Sequence, residues 1–332
     1  MIIRNIDDAQ PSIKNGSYGG NACFKDGVII DGENYLIKYP KSTNGLKRCE
    51  EMLYTNDTVS EYIGSHIYQI LGIPVHETML VERNGKIAVA CKDFTKDGSI
   101  LLEIRTLKNT ANQRLAEKLE KDFNTTGSLH TVDFDELMLH LKYNDILSKV
   151  EGITARFWDM AVVDIFINNN DRNNGNWGIL RDKNGIDTLA PVFDNGGAFN
   201  GKTPDSRLER MLNDSKSIEG SVLNNIVAFG RDDKNFLAKD FINFDIPELK
   251  QSLIRNIPTI QKHKDEIEQM IQNIPDSVCS KVRKDFYLKS LDIKMEKMLI
   301  PAYNKIDQMQ TLSLKDELKP KSGKGLNNPK RD

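Results

Sequence analysis

The stretch from Ile153 to Gly197 constrains this chain more than any other part of it. It opens with a helix, Ile153 to Ile167, whose Phe157, Trp158, Ala161, Val162, Ile165 and Phe166 make it apolar enough to be mostly buried. The run Asn168-Asn169-Asn170-Asp171-Arg172-Asn173-Asn174-Gly175-Asn176 follows, built of residues that tolerate left-handed backbone and bond their own main chain. A β-hairpin comes next, with strands Trp177 to Leu180 and Thr188 to Phe193 around an Asp182-Lys183-Asn184-Gly185 turn. It ends in Phe193-Asp194-Asn195-Gly196-Gly197, where a carboxylate followed by glycine can turn sharply and face a cleft.

Asp-x-x-x-x-Asn followed by Asp-x-Gly is what a metal-dependent phosphoryl-transfer site requires. One carboxylate orients the attacking hydroxyl, while an amide oxygen and a second carboxylate hold magnesium on the nucleotide phosphates. In this chain those roles fall to Asp171, Asn176 and Asp194. Either half alone has an ordinary explanation, because the chain is rich in asparagine and both segments read as turns. The two in order, joined by a hairpin and preceded by a buried helix, point to chemistry.

The first 95 residues supply three further pieces. Val28 to Ile30 and Tyr35 to Tyr39 read as short strands around the turn Asp31-Gly32-Glu33-Asn34, and Lys38 stands inside the second. An ammonium in an apolar run either faces solvent on an alternating strand or contacts phosphate with a carboxylate partner. A helix of about 14 residues starts near Asp57 or Thr58, carries Val59, Ile63, Ile67, Ile70 and Leu71 on one face, and stops at Gly72 before Pro74. Glu61 lies roughly opposite that stripe, so it faces either a cleft or solvent. Gly16-Ser17-Tyr18-Gly19-Gly20 lets backbone amides approach an anion closely, although a plain turn has the same composition. Strands from Glu77 to Glu82 and Lys86 to Cys91 complete a small antiparallel sheet with one inserted helix, an α+β unit.

Beyond residue 96 the helical period dominates. The polar segment 104–135 reads as a helix plus a mobile loop near Asn124 to Gly127, and Asp135 to Val150 as a further helix. Residues 200–221 read as polar, turn-rich and mobile. The remainder is predicted helical to about Thr311, interrupted at Pro247, Pro258, Pro275 and Pro301. The end of the chain, from Lys319, is too polar to pack and reads as a flexible basic tail. The domain division expected is 1–95, 96–311 and 312–332.

Composition excludes little and agrees with a globular protein: 39% hydrophobic, 28% charged and a net charge of −2, which gives no global attraction to nucleic acid or anionic membrane. Cys23, Cys49, Cys91 and Cys279 have no C-x-x-C or disulfide spacing and read as reduced thiols, and the five histidines show no zinc spacing. With no signal-peptide run and no apolar span long enough for a bilayer, a cytoplasmic location is expected.

The residues from Phe157 to Asn176 and from Pro191 to Phe199 resemble the catalytic core of the HipA-like serine/threonine kinases. Upstream, Gly16 to Gly20 resembles that family's phosphate loop, Tyr35 to Pro40 its lysine strand, Ser60-Glu61-Tyr62 its helix glutamate, and Gly72-Ile73-Pro74-Val75 the turn after that helix. The resemblance is residue-level over about 14–95 and 153–199. It implies a protein-kinase-like bilobal fold, with a small antiparallel β lobe carrying one helix and a larger, mainly α-helical lobe. It implies ATP and Mg2+ as cofactors, a protein substrate with a serine or threonine acceptor, and autophosphorylation. Asp171 would orient the acceptor hydroxyl, Asn176 and Asp194 would bind magnesium, Lys38 would hold the phosphates, and Glu61 would position Lys38. Ala90, Cys91 and Lys92 would form the adenine hinge through backbone groups, and Asp93 would reach the ribose.

This chain departs from the family pattern in three places. Asn173 stands two residues after Asp171, where relatives often carry histidine. Asn21-Ala22-Cys23 replaces the usual Pro-Lys continuation of the phosphate loop, which leaves a regulatory serine there unassigned. The glycine loop begins by residue 16, with no long partner-binding region ahead of it, so neither DNA binding nor an antitoxin-type partner is expected. The rival readings are a small-molecule or lipid kinase on the same fold and a non-catalytic nucleotide-binding signalling module.

Overall fold

The computed structural model describes residues 1–15, 25–45, 51–96, 98–124, 131–306 and 308. The Gly16 to Gly20 loop, Cys23, Cys49 and the tail lie outside the described residues. Alternation of apolar and polar residues organises the N-terminal part as a five-stranded sheet in the order β1-β4-β5-β3-β2. Its strands are β1 (Arg4–Asn5), β2 (Lys25–Ile30), β3 (Glu33–Lys38), β4 (Thr78–Arg83) and β5 (Lys86–Lys92). Only the β1–β4 pair is parallel. The central strand β5 buries Ala88, Val89, Ala90 and Cys91 in succession, because both of its faces are covered. On one side lie Ile6, Val28, Ile30, Tyr35 and Ile37; on the other, Val59, Ile63 and Ile67 of helix α1 (Asp57–Ile70). Helix α1 ends as predicted, with Gly72 at φ +74° just past its C-cap Leu71. Its first residue is Asp57, and its N-cap Asn56 makes no side-chain cap bond.

The rest is a mixed assembly of helices and two small sheets. Strand β6 (Ile100–Glu103) and helix α2 (Ile104–Leu119) lead to β7 (Val132–Asp133) and α3 (Phe134–Tyr143). The predicted helix to Val150 breaks at Asn144, whose Oδ1 accepts the N–H groups of Ile146 and Leu147 and replaces helical bonds with a local turn. Helix α4 (Ile153–Ile167) has the predicted bounds, between Gly152 at φ +76° and Asn168 at φ +59°. Strands β8 (Gly178–Arg181) and β9 (Asp187–Leu189) form the expected hairpin, and β8 pairs on its other edge with β6. The second strand is shorter than predicted. Pro191 has no N–H to donate, and Val192 instead bonds Pro74 and His76.

Three expectations for the C-terminal part are corrected. The 200–221 segment is not turn-rich: it folds into α5 (Asp205–Leu212) and α6 (Ser215–Leu223), which bury Leu208, Met211, Ile218 and Val222. Next comes a hairpin within a stretch predicted helical, β10 (Ile226–Arg231) and β11 (Lys234–Leu237), turned by Asp232 and Asp233 at φ +48° and +57°. After the short helix α7 (Ala238–Phe241), helix α8 (Pro247–Lys262) runs through Pro258 without ending. Burial of Leu249, Leu253, Ile257 and Ile260, with α8 packed along α4, holds it together despite the lost backbone bond. Helices α9 (Lys264–Gln272) and α10 (Lys281–Lys294) follow, and α10 continues through a π-turn, Met295–Leu299, that widens the helix just before Pro301. No helix among the described residues is long and apolar enough to cross a membrane.

Candidate active site

Lys38 ends β3, the last residue before the chain leaves the sheet, so its side chain projects at the sheet margin beside α1. Its Nζ donates to Glu61 Oε2 at 2.8 Å and to Asp194 Oδ1 at 2.9 Å. The alternatives open for Glu61 are thereby decided: its side chain is 1% exposed and faces inward. Burial opposes the charged form of Glu61, yet Lys38 and His76 hold its pKa well below the ordinary value. For Lys38, burial is outweighed by the Asp194 and Glu61 carboxylates, which raise its pKa. Asp194 follows the same logic, its burial overcome by Lys38 so that it ionises more readily than a free aspartate. Lys25 stands opposite Lys38 in the β2–β3 register, adding a second ammonium on this edge.

Asp194 adopts φ +60°, and the glycines after it allow close packing on the loop that follows α4. A Cβ on Gly197 would lie 2.7 Å from both Asp171 Cβ and Asn169 Oδ1, so the 194–197 turn and the 168–176 loop touch directly. Asp171 opens to solvent, but the protein around it raises its pKa, chiefly by desolvation; Asp194 adds to the rise and a hydrogen bond from Asn173 opposes it. Asn176 Nδ2 donates to Asp171 O at 2.6 Å, which leaves the amide oxygen for another partner.

Several residues that the motif reading passed over hold this arrangement. Arg172 is buried and reaches Asp164 (2.8 and 3.1 Å), Asn176 O (2.8 Å), Phe193 O (2.5 Å) and Asn195 Oδ1 (2.5 Å). Asp164 also accepts from Tyr68 OH at 2.8 Å and Asn169 Nδ2 at 3.1 Å. The signal available in the sequence was a carboxylate within the apolar run of α4, which requires a buried partner. Asn195 donates its N–H to Glu61 Oε1 at 2.9 Å and its Nδ2 to Ser65 Oγ at 2.9 Å. His76 Nε2 lies 3.0 Å from Glu61 Oε1 and 3.1 Å from Ser65 Oγ. Gly196 and Gly201 pack on the start of α1, and Asn56 N–H donates to Gly201 O at 2.8 Å.

Two of the expected site segments are hydrogen-bonded within the protein. Ala90, Cys91 and Lys92 lie within β5, paired on both edges, and the N–H groups of Lys92 and Asp93 donate to Glu77 O and Asn34 O at 2.9 Å each. The amides of Lys92 and Asp93 are thus paired within the protein. The Asp93 carboxylate accepts from Lys14 Nζ at 2.7 Å and from Thr95 N–H and Oγ1. At the start of α5, Arg283 donates to Thr203 O (2.8 Å) and Asp205 Oδ1 (2.5 Å).

Glu61, His76 and Cys91 present donor atoms within 4.8 Å of one another. Both Glu61 oxygens are engaged by Lys38, His76 and Asn195, and burial raises the pKa of the Cys91 thiol. Among the described cysteines, Cys91 and Cys279 are buried free thiols.

No protein-family model matches the chain. It is 32% identical over 292 residues to the serine/threonine-protein kinase CtkA of Helicobacter pylori, covering 87% of this chain and 84% of that protein. The crystal structure of the Helicobacter pylori proinflammatory kinase CtkA superposes with a TM-score of 0.80 at 28% identity, over 93% of this chain and 99% of the other. HipA of Shewanella oneidensis, solved with HipB and operator DNA, gives a TM-score of 0.51 at 12% identity over 88% and 68%, a likeness of fold.

Proposed function

This chain belongs to the family of the serine/threonine-protein kinase CtkA, and on that premise we propose that it transfers the γ-phosphoryl group of ATP to serine or threonine hydroxyls on protein, its own included. The observation that carries this reading is Lys38 held between Glu61 and Asp194, an ammonium fixed at the sheet edge with an ionised carboxylate on either side. The five-stranded sheet with α1 would be the small lobe and the helical remainder the large lobe of a kinase cleft.

In this reading Lys38, with Lys25 beside it, draws the nucleotide phosphates to the sheet edge, and Glu61 keeps the ammonium from rotating away. Asp171 accepts or orients the proton of the acceptor hydroxyl; its raised pKa makes it a better proton acceptor than a free aspartate. Asn176 and Asp194 offer an amide oxygen and a half-exposed carboxylate, a hard-oxygen set that suits magnesium. Magnesium, when bound, neutralises the phosphate charge. Arg172 holds the chain on both sides of Asp171 and Asp194, so catalysis is positioning and charge complementarity with no covalent enzyme intermediate.

The test is incubation of the purified chain with γ-labelled ATP, magnesium and a generic acceptor protein, beside Asp171→Asn. Label on the acceptor or on the chain, lost by at least about a hundredfold in Asp171→Asn, is the expected result. Label only on added lipid or small molecules favours a different kinase substrate. Equal transfer by Asp171→Asn would end the proposal.

A further inference from the structure

We propose that His76 is a positioning residue that sets the rotation of Glu61 and couples helix α1 to the Asp194 turn; this rests on the kinase reading. Glu61 has two oxygens with separate duties. Oε2 takes Lys38, while Oε1 takes His76 Nε2 at 3.0 Å and the Asn195 N–H at 2.9 Å. A carboxylate loaded on one oxygen alone is free to rotate about its last torsion, which has broad wells. The donors on Oε1 remove that freedom and leave Oε2 aimed at Lys38.

His76 is placed for this by main chain as well as side chain. Its N–H donates to Val192 O at 2.9 Å, Val75 forms a parallel bridge with Val192, and Val192 N–H returns to Pro74 O at 2.8 Å. Val192 lies two residues before Asp194, so the histidine is fastened to the strand that delivers the Asp194 turn. From there the imidazole, 3% exposed, crosses to α1 and meets both Glu61 and Ser65. Ser65 Oγ in turn accepts from Asn195 Nδ2, one residue past Asp194. The contacts close a ring: α1 to His76, His76 to Val192, Val192 through the turn to Asn195, and Asn195 back to α1. Displacement of α1 away from the sheet must break this ring at His76 and Asn195 together.

The donor requirement defines the experiment. Glutamine can present an amide N–H at the position of the imidazole Nε2, phenylalanine keeps the ring volume without a donor, and asparagine carries its donor too close to the backbone. For His76→Gln, His76→Phe and His76→Asn, together with Lys38→Met, the measurements are KM for ATP, kcat, binding of a non-hydrolysable ATP analogue with magnesium, and the thermal midpoint. Expected is a rise of about tenfold in KM for ATP and a comparable loss of kcat in the Phe and Asn variants, with the Gln variant within about threefold of the parent. Unchanged KM and kcat in His76→Phe and His76→Asn overturn the inference. So does parallel loss in all three variants that tracks the thermal midpoint, or failure of all three to fold, since a purely structural histidine behaves that way. Lys38→Met separates the two readings. If it is inactive while His76→Phe is unaffected, the kinase stands and the role of His76 falls; if it retains full activity, the kinase reading itself fails.

Discussion

Arg172 and Asp164 form a buried two-contact ion pair, Nε to Oδ2 at 2.8 Å and Nη2 to Oδ1 at 3.1 Å, one residue from the proposed catalytic carboxylate. The same guanidinium bonds the carbonyls of Asn176 and Phe193 and the side chain of Asn195. A single side chain thus fixes the spacing between the loop that bears Asp171 and Asn176 and the turn that bears Asp194.

Arg172→Ala leaves the Asp164 carboxylate buried without its cation and should cost about 3–5 kcal/mol of unfolding free energy, read from urea denaturation. Arg172→Lys should recover little of this, because one ammonium cannot reproduce a planar fork that serves four groups. Near-complete recovery by lysine would show that charge alone matters here and that the geometry does not.

Glu61 predicts a pH signature in stability. Its folded pKa is depressed below the ordinary 4.5, with burial overcome by Lys38 and His76. A depressed carboxylate contributes stability that is present above the unfolded pKa and lost as pH falls through the folded one. Glu61→Gln should therefore be less stable than the parent at neutral pH, by about 2–4 kcal/mol, with the gap closing progressively below pH 4.5. Denaturation midpoints of both proteins between neutral and strongly acidic pH test this, and a gap independent of pH would contradict it.

Asp171 predicts a pH signature in activity. Desolvation, aided by Asp194, raises its pKa above 3.8, so the active carboxylate form is lost on acidification earlier than for a free aspartate. The Asn173 hydrogen bond opposes that rise. Asn173→Ala should shift the acid limb of kcat/KM to higher pH while leaving the neutral plateau close to the parent value. An unmoved or lowered acid limb counts against Asp171 as the titrating group.

Lys294 lies in the core of the helical half, donating to Ile165 O at 2.5 Å and Asn168 Oδ1 at 3.3 Å at the end of α4. Burial pushes its pKa down from 10.5 to about 7. Between these values the unfolded chain binds a proton that the folded chain does not, so unfolding free energy should rise with pH from about 7 toward 10.5. Lys294→Met should flatten that slope. The check is a set of urea midpoints across the range, and parallel slopes for the two proteins would refute the assignment.

Local chemistry was legible wherever one element carried its own signals. Helix α4 could be bounded from its apolar run, Gly152 and Asn168, and α1 from its stripe and Gly72. The hairpin at β10–β11 was hidden because Asp232-Asp233 is a less familiar turn pair than Asn-Gly, although both residues accept positive φ. The helices α5 and α6 were hidden by their polarity: each is mostly solvent-facing and rests on a few buried positions such as Leu208 and Val222. The pairing of β5 on both edges at Ala90 to Lys92, the expected hinge, was not legible, because a strand's sequence does not state whether one or both edges are paired.

By itself the sequence determined the kinds and the order of the candidate functional groups: Lys38, Glu61, Asp171, Asn176 and Asp194, with the apolar helix and glycines that make their turns possible. Only the tertiary structure decided that Glu61 faces inward, that Lys38 lies between it and Asp194, and that Arg172 and His76 hold the parts in place. The reason is physical. Turn and helix preferences are set by neighbours in the chain, whereas the burial of a charge is tolerated only when a partner arrives from elsewhere in the fold. That partner's position depends on how α1, β5 and the Asp194 turn pack together.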